Sequence, residues 1–162
     1  MPHTANFDFI LGVLARAQLD IKNAKYLGKS QLFKPPFGFI FRWLGGYPVD
    51  RSKDNNLVDA VVRIFNEHES FAVAIAPEGT RSKVERLKTG FYHIARKAGV
   101  AIIPVAFDYG RKEIVIDKPF YPTESMVDDF NYLLSFYEGK DGKYADLGLD
   151  RNIFEATVTY QK

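Results

Sequence analysis

Hydrophobic and polar positions follow two different periods along this chain, one typical of helices and one typical of strands. Apolar residues recur at helical spacing in segments that we predict to be helices, at 6–20, 37–44, 57–68, 91–98 and 126–137. Short apolar or alternating runs predict extended segments at 24–27, 47–51, 71–76, 101–107 and 113–117, and a late edge strand over Glu155 to Tyr160. This alternation predicts an α/β fold, with a largely parallel or mixed sheet flanked by helices on both faces.

The length of the chain predicts a single domain. Its 162 residues are enough for a hydrophobic core, and the apolar content of 46% with 26% charged residues is ordinary for a globular protein. We expect this α/β domain to cover residues 1–138. Glycine and charged residues dominate from Gly139 onward, so we expect residues 139–162 to form a C-terminal tail of loop or weak order.

Charge and cysteine content exclude several classes of function. The net charge of +2 is too small to indicate nucleic-acid binding. The absence of cysteine excludes disulfides, thiolate metal sites and a cysteine nucleophile. Because no run approaches 18 uninterrupted apolar residues, the sequence predicts no bilayer-spanning helix.

The aromatic content of 15% has two interpretations. The first is a phenylalanine-rich core. The second is an apolar surface for lipid or acyl chains. Lys29, Lys34 and Arg42, which are nearby in the sequence, would attract anionic lipid to this surface. The aromatic candidates for that surface are Phe33, Phe37, Phe39, Phe41 and Trp43.

A turn sequence, Ala76-Pro77-Glu78-Gly79-Thr80-Arg81-Ser82, follows the predicted strand at 71–76. Pro77 cannot continue a strand ladder and Gly79 permits the backbone to turn. A carboxylate and a guanidinium are therefore delivered together at the carboxyl end of a strand, where open α/β sheets bind ligands. Taken singly, Glu78 could instead be a structural cap, and Arg81 a surface charge.

His3 and Asp8 flank a predicted helix start and form an H-x4-D pattern. A carboxylate in the first turn can accept the Nδ1 proton of a loop imidazole and leave Nε2 to act as a general base. No G-x-S-x-G elbow is present, so a covalent intermediate has no obvious nucleophile. The simplest mechanism has His3 activating a substrate hydroxyl toward an activated electrophile such as a thioester. The alternative is that His3 is merely a solvated residue.

Four ordered blocks of the sequence resemble one enzyme family. They are His3-x4-Asp8, Gly46-Tyr47-Pro48-Val49-Asp50-Arg51, Pro77-Glu78-Gly79-Thr80-Arg81-Ser82 and Ile102-Ile103-Pro104-Val105. Smaller matches are Lys29-Ser30-Gln31-Leu32 with Pro36-Phe37-Gly38, and Lys88-Thr89-Gly90-Phe91. Over residues 2–110 the chain resembles the glycerolipid acyltransferases, typified by 1-acylglycerol-3-phosphate acyltransferase.

The resemblance implies an O-acyltransferase of phospholipid biosynthesis, which moves a fatty acyl group from a thioester to a lysophospholipid hydroxyl. Lysophosphatidic acid, giving phosphatidic acid, is the acceptor it implies first. His3 would be the general base and Asp8 would orient it. Arg51 would bind the acceptor phosphate, and Arg81 and Lys29 would also contact that phosphate. The residues implied to shape the acceptor site are Glu78, Gly79 and Thr80.

The resemblance also implies partners and location. The donor would be acyl-CoA or acyl carrier protein, used as a co-substrate, and no metal or other cofactor is implied. We expect a cytoplasmic protein, peripheral at the inner membrane face, without a nucleic-acid partner.

The chain departs from the family pattern near the histidine. Pro2 and Ala5 stand where asparagine and serine are common in the family, and the chain begins two residues before the implied base. We therefore expect the strand that usually leads into this motif to be missing. The alternative function is a truncated, catalytically impaired member that acts as a lipid- or carrier-binding module.

Overall fold

The computed structural model describes residues 7–18, 20–21, 23–49, 57–80, 82–144 and 149–160. The helices are α1 (Phe7–Gln18), α2 (Gly38–Trp43), α3 (Leu57–Glu67), α4 (Gly90–Ala98), α5 (Met126–Tyr137) and α6 (Arg151–Tyr160), with a short 3-10 helix at Ser30–Phe33. The strands are β1 (Ala24–Lys29), β2 (Gly46–Val49), β3 (Ala72–Ala74), β4 (Val105–Asp108) and β5 (Glu113–Ile116). The predicted α/β class is therefore confirmed.

The chain forms two compact units. The N-terminal unit is Phe9–Ile75, and the C-terminal unit is Ala76–Lys162 together with Met1–Asp8. Among the described residues, no helix is both long enough and apolar enough to cross a bilayer.

A parallel sheet in the order β2-β1-β3 forms the centre of the N-terminal unit. Leu27 lies opposite Tyr47, and Lys29 lies opposite Val49 at the carboxyl ends of β1 and β2. Pro48 lacks a backbone N–H, and it lies in an outer strand of this sheet, where one ladder hydrogen bond is not required.

Helix α3 covers one face of this sheet. Val49, Ala60 and Ile64 form a buried cluster, and the side chains of Leu27 and Phe71 pack against it. Alternation along a strand places every second residue on the same face. Ala60 and Ile64, which lie one helical turn apart in α3, therefore pack against strand residues that point to the same face of the sheet.

Phe33, at the end of the 3-10 helix, covers the opposite face. A Cβ atom at Gly28 or Gly46 would lie 2.8 Å from the Phe33 ring, so only glycine fits beneath it. Tyr26 donates a hydrogen bond from its hydroxyl to the carbonyl of Phe41 in α2, at 3.3 Å. Helical segments thus lie on both faces of this sheet, as predicted.

The strands of the C-terminal unit form an antiparallel hairpin in which Val105 pairs with Ile116 and Asp108 with Glu113. The predicted strand at 101–107 begins only at Val105, because Pro104 interrupts the ladder. Before it, Ile102 makes an isolated bridge with Phe120.

Helices α4, α5 and α6 contribute most of the core of the C-terminal unit. Phe130 of α5 lies between Tyr92 of α4 and Phe154 of α6, with ring centroids 5.6 and 6.3 Å away. Edge-on arrangements of this kind are favourable for aromatic rings. The buried residues of this cluster are Leu87, Tyr92, Phe130, Leu133, Leu134, Ile153 and Phe154.

The predicted edge strand over Glu155 to Tyr160 is wrong, since these residues belong to α6. Asp150 accepts a hydrogen bond from the Ile153 backbone N–H at 3.0 Å, which is the geometry of a helix N-cap. Residues 151–160 are therefore an ordered part of the core and not a loop. The division of the chain into residues 1–138 and 139–162 stays a prediction.

Thr157 in α6 fixes the segment that precedes α4. Its side chain is 1% exposed, accepts a hydrogen bond from the Leu87 N–H at 2.8 Å and donates one to the Ile153 carbonyl at 2.6 Å. Valine has nearly the same shape but cannot accept a hydrogen bond.

We therefore expect Thr157→Val to lower the free energy of unfolding by about 1–3 kcal/mol, because a buried N–H loses its acceptor. Thr159→Val is the matched control, since Thr159 is exposed on the same helix and should change stability little. Equilibrium denaturant unfolding measures both. Equal effects of the two substitutions would contradict the structural role of Thr157.

Candidate active site

Five of the eight predicted site residues lie within the described part of the chain. Asp8, Glu78, Gly79 and Thr80 belong to the C-terminal unit, and Lys29 belongs to the N-terminal unit. The other three, His3, Arg51 and Arg81, lie outside the described residues. The roles predicted for these three residues therefore stay predictions.

Asp8 lies in the first turn of α1, where the helix dipole favours a negative charge. It is only 2% exposed, and Tyr109 donates a hydrogen bond from its hydroxyl to Oδ1 of Asp8 at 2.5 Å. Burial raises the pKa of the Tyr109 phenol, and the hydrogen bond and charge of Asp8 raise it further. Tyr109 was not among the predicted site residues, because nothing in the sequence spacing links positions 8 and 109.

A tight turn carries Glu78. The Gly79 N–H donates to the Ala76 carbonyl at 3.1 Å, and Pro77 occupies the second position, which it favours in such turns. Gly79 has φ +65°, a conformation that suits glycine. Because the Gly79 amide is used within the turn, this geometry does not offer it to an external oxyanion.

Lys88 lies beside this turn. Its backbone N–H donates to the Pro77 carbonyl at 2.8 Å, and a Cβ atom at Gly79 would lie 2.6 Å from its Nζ. An ammonium group is thus placed next to Gly79, where it would attract an anion. The sequence carried a signal for this residue in the Lys88-Thr89-Gly90-Phe91 match, although Lys88 was not among the predicted site residues.

Glu78 and Asp8 are both buried, and each acts on a tyrosine at one end of β4. Glu78 is 4% exposed. Burial and then the charge of Glu78 raise the pKa of Tyr137, whose hydroxyl donates to the Val105 carbonyl at the start of β4, at 3.4 Å. Asp8 contacts Tyr109, which follows the end of β4. The two carboxylates are therefore linked to opposite ends of β4 through Tyr137 and Tyr109.

Two predicted substrate-binding residues are exposed. The Thr80 hydroxyl accepts a hydrogen bond from the Ser82 N–H at 3.3 Å. Lys29 is the last residue of β1 and lies opposite Val49, two positions before Arg51 in the sequence. The carboxyl ends of neighbouring parallel strands are the usual place for ligands in such sheets.

The described histidines have structural surroundings. His68 donates a ring hydrogen bond to the Ile64 carbonyl at 2.8 Å and packs edge-on against Tyr47. His93 packs edge-on against Tyr92. Across the described ranges, no three His, Asp or Glu side chains are grouped so that they could hold a metal ion.

The aromatic residues near α2 divide between core and surface. Phe33 is buried, whereas Phe37 and Phe39 are mostly exposed and Trp43 is 80% exposed. We call Phe37, Phe39, Ile40 and Trp43 the α2 surface. The core interpretation is thus right for Phe33 and wrong for the three exposed aromatic residues.

The family follows from a comparison with known proteins. A model of the family described as "Acyltransferase" matches residues 1–108, which is most of the chain. The chain belongs to the acyltransferase family. This confirms the resemblance stated from the four ordered blocks, and the match spans Asp8, Lys29 and the turn from Glu78 to Thr80.

Relatives within the acyltransferase family share one name. The chain is 29% identical over 126 residues to 1-acyl-sn-glycerol-3-phosphate acyltransferase LPAT1, chloroplastic, of Arabidopsis thaliana, covering 65% of this chain and 35% of that protein. It is 33% identical over 99 residues to the Haemophilus influenzae 1-acyl-sn-glycerol-3-phosphate acyltransferase, covering 57% and 41%. The Salmonella typhimurium protein of that name is 40% identical over 83 residues, covering 48% and 34%.

The chain aligns with only about a third to two-fifths of the length of these relatives. No solved structure gives a significant match.

The hydrogen bond between Tyr109 and Asp8 can be tested by titration. We expect the pKa of the Tyr109 phenol to lie above the usual value near 10, and to fall in Asp8→Asn because the carboxylate charge is lost. NMR of tyrosines labelled at Cζ measures it, with Tyr109→Phe identifying the signal. Tyr132, which donates to Asp117 and not to Asp8, is the control, and its raised pKa should be the same in both proteins. An unchanged Tyr109 pKa in Asp8→Asn would contradict this contact.

Proposed function

We propose that this chain is an O-acyltransferase that moves a fatty acyl group from acyl-CoA or acyl carrier protein to the hydroxyl of a lysophospholipid. The observation that carries the proposal is Asp8, a buried, hydrogen-bonded carboxylate in the first turn of a helix, five positions after His3 in a member of the acyltransferase family. An exposed aspartate would have suited a solvated surface. A buried one suits the orientation of a cationic intermediate.

In the proposed mechanism, His3 accepts the proton of the acceptor hydroxyl as its oxygen attacks the thioester carbonyl. The new carbon–oxygen bond forms, the carbon–sulfur bond breaks, and the imidazolium returns the proton to the leaving thiolate. Asp8 stabilises the imidazolium by charge and by a hydrogen bond. The acyl thioester is a co-substrate, and the proposed steps use no metal or other cofactor.

The proposed acceptor is lysophosphatidic acid, which would become phosphatidic acid. The names of the relatives support this choice, since each is called a 1-acyl-sn-glycerol-3-phosphate acyltransferase. We assign the acceptor phosphate to Arg51 and Arg81, with Lys29 contributing from the end of β1. Guanidinium groups suit phosphate because their donors form a planar fork. Within the C-terminal unit, the residues that we assign to the acceptor are Glu78, Gly79 and Thr80, and the Lys88 ammonium adds positive charge beside Gly79.

Thiol release from acyl-CoA or acyl carrier protein, with lysophosphatidic acid as acceptor, tests this function directly. We expect turnover by the unaltered chain, and we expect Arg51→Ala to raise the KM for the acceptor roughly tenfold or more, because a charged hydrogen bond to phosphate is lost. The KM for the thioester should stay the same.

The matched control is Arg151→Ala, because Arg151 is an exposed arginine in α6, beyond the residues that match the family. It should leave both KM values unchanged. Lipid binding by the unaltered chain without thiol release would instead favour the binding-module interpretation. An unchanged acceptor KM in Arg51→Ala would remove that role from Arg51.

We also propose that the chain works as a peripheral protein at the cytoplasmic face of the inner membrane, where the α2 surface contacts anionic lipid. Residues 21–49 hold five lysine or arginine residues and no aspartate or glutamate, and the same stretch of sequence carries the exposed Phe37, Phe39 and Trp43. Apolar side chains beside positive charge suit a membrane of negative surface potential. The proposed acceptor, a lysophospholipid, is itself found at such a surface.

Vesicle binding tests the α2 surface. We expect Trp43→Ser to weaken binding to phosphatidylglycerol vesicles roughly tenfold, because a large apolar side chain no longer enters the lipid. Tyr121→Ser is the control, since Tyr121 is 67% exposed but lies outside the α2 surface. Sedimentation with vesicles measures both. Equal binding by the two variants would mean that α2 does not face the lipid.

A further inference from the structure

We propose that Tyr109 is a positioning residue that holds the Asp8 carboxylate in the orientation needed to align the His3 imidazole, an inference that rests on the proposed function. Its hydroxyl donates to Oδ1 of Asp8 at 2.5 Å. Tyr109 follows directly after residues 1–108, which match the acyltransferase family, so the match itself assigns it no role.

The backbone around Tyr109 is fixed by its neighbours. The Tyr109 N–H donates to the Asp141 carbonyl at 2.9 Å. In the same turn between β4 and β5, the Arg111 N–H donates to Oδ1 of Asp108 at 3.1 Å, and the Arg111 guanidinium lies 3.7 Å from Oδ2 of Asp108. The phenol is thus presented from a hydrogen-bonded hairpin turn. Such preorganisation is what a supporting contact to a catalytic group requires.

The carboxylate of Asp8 can serve both partners. An ionised carboxylate accepts several hydrogen bonds, so the bond from Tyr109 to Oδ1 is compatible with a second from an imidazole N–H. A donor on one oxygen also restricts rotation of the carboxylate. An imidazole N–H that donates to the other oxygen would then have a fixed acceptor direction, which would select the tautomer of that imidazole.

Other ionisable residues near Tyr109 include Asp108, Asp141 and Tyr144. Asp108 and Asp141 both approach Gly110, since a Cβ atom there would lie 3.3 Å from Oδ1 of Asp108 and 2.7 Å from Oδ2 of Asp141. The charge of Tyr144 also raises the pKa of Tyr109, and it is the smallest of the four causes. Among these groups, Asp8 is the one to which the Tyr109 hydroxyl donates its hydrogen bond.

A double-mutant cycle tests the proposal. Tyr109→Phe keeps the ring but removes the donor, and we expect kcat to fall roughly tenfold while both KM values stay within about twofold. In an Asp8→Asn background, Tyr109→Phe should cause little further loss, because its effect passes through the carboxylate. A purely structural effect of Tyr109 would instead add to that of Asp8→Asn.

The matched control is Tyr132→Phe. Tyr132 also donates to an aspartate, Asp117, at 2.7 Å, but this pair belongs to the contact between α5 and the segment after β5. Tyr132→Phe should leave kcat unchanged in both backgrounds. Thermal unfolding of each variant separates a loss of stability from a loss of rate.

NMR titration of the His3 imidazole gives a readout that does not need turnover. Without the Tyr109 donor, the Asp8 carboxylate keeps more of its charge, so we expect the His3 pKa to be higher in Tyr109→Phe than in the unaltered chain. An unchanged His3 pKa, or additive losses of kcat in the double variant, would overturn the role of Tyr109. If the unaltered chain shows no turnover, the proposed function fails, while the His3 titration still decides whether Tyr109 acts through Asp8.

Discussion

A buried carboxylate needs hydrogen-bond donors inside the protein, because it no longer contacts water. This requirement has its largest consequence at Asp8, the carboxylate of the proposed catalytic pair. It is almost fully buried in the first turn of α1, and Tyr109 supplies a donor from the turn after β4. Removing an ion from water is costly unless such donors and dipoles compensate it. The hairpin of β4 and β5 therefore also contributes to the proposed site, because its turn supplies a hydrogen-bond donor to a proposed catalytic group. The proposed chemistry of His3 depends on that arrangement.

A second constraint governs the N-terminal unit. Gly28 and Gly46 leave room for the Phe33 ring on one face of the parallel sheet, while α3 covers the other. Phe33 fills this space, and its ring packs edge-on against Phe41 of α2. Phe37, Phe39 and Trp43, by contrast, are exposed. The same local sequence thus packs closely against the sheet and exposes an apolar surface in a basic segment. The proposed contact with anionic lipid involves this exposed surface.

Predictions from the sequence were most accurate where a single periodic pattern determined the element. The spacing at 126–137 matched α5, and Gly99, with φ +65°, ends α4 as a left-handed residue should. They were wrong where tertiary burial overrode local preference. Valine, threonine and tyrosine after Glu155 suggested a strand, yet burial of Ile153, Phe154 and Thr157 against the core of the C-terminal unit made that segment helical. The overlooked local signal was Asp150, the N-cap.

The order of four short blocks determined the family by itself, because residue types at fixed spacings are a property of the chain and need no coordinates. The alternating apolar periods likewise determined the α/β class. Only the tertiary structure decided which aromatic residues are buried, that Lys88 lies beside Gly79, and that Tyr109 contacts Asp8 across a hundred positions. The physical reason is that a local sequence pattern constrains the backbone conformation over only a few turns. Contacts between distant residues depend instead on how the helices and strands pack against one another.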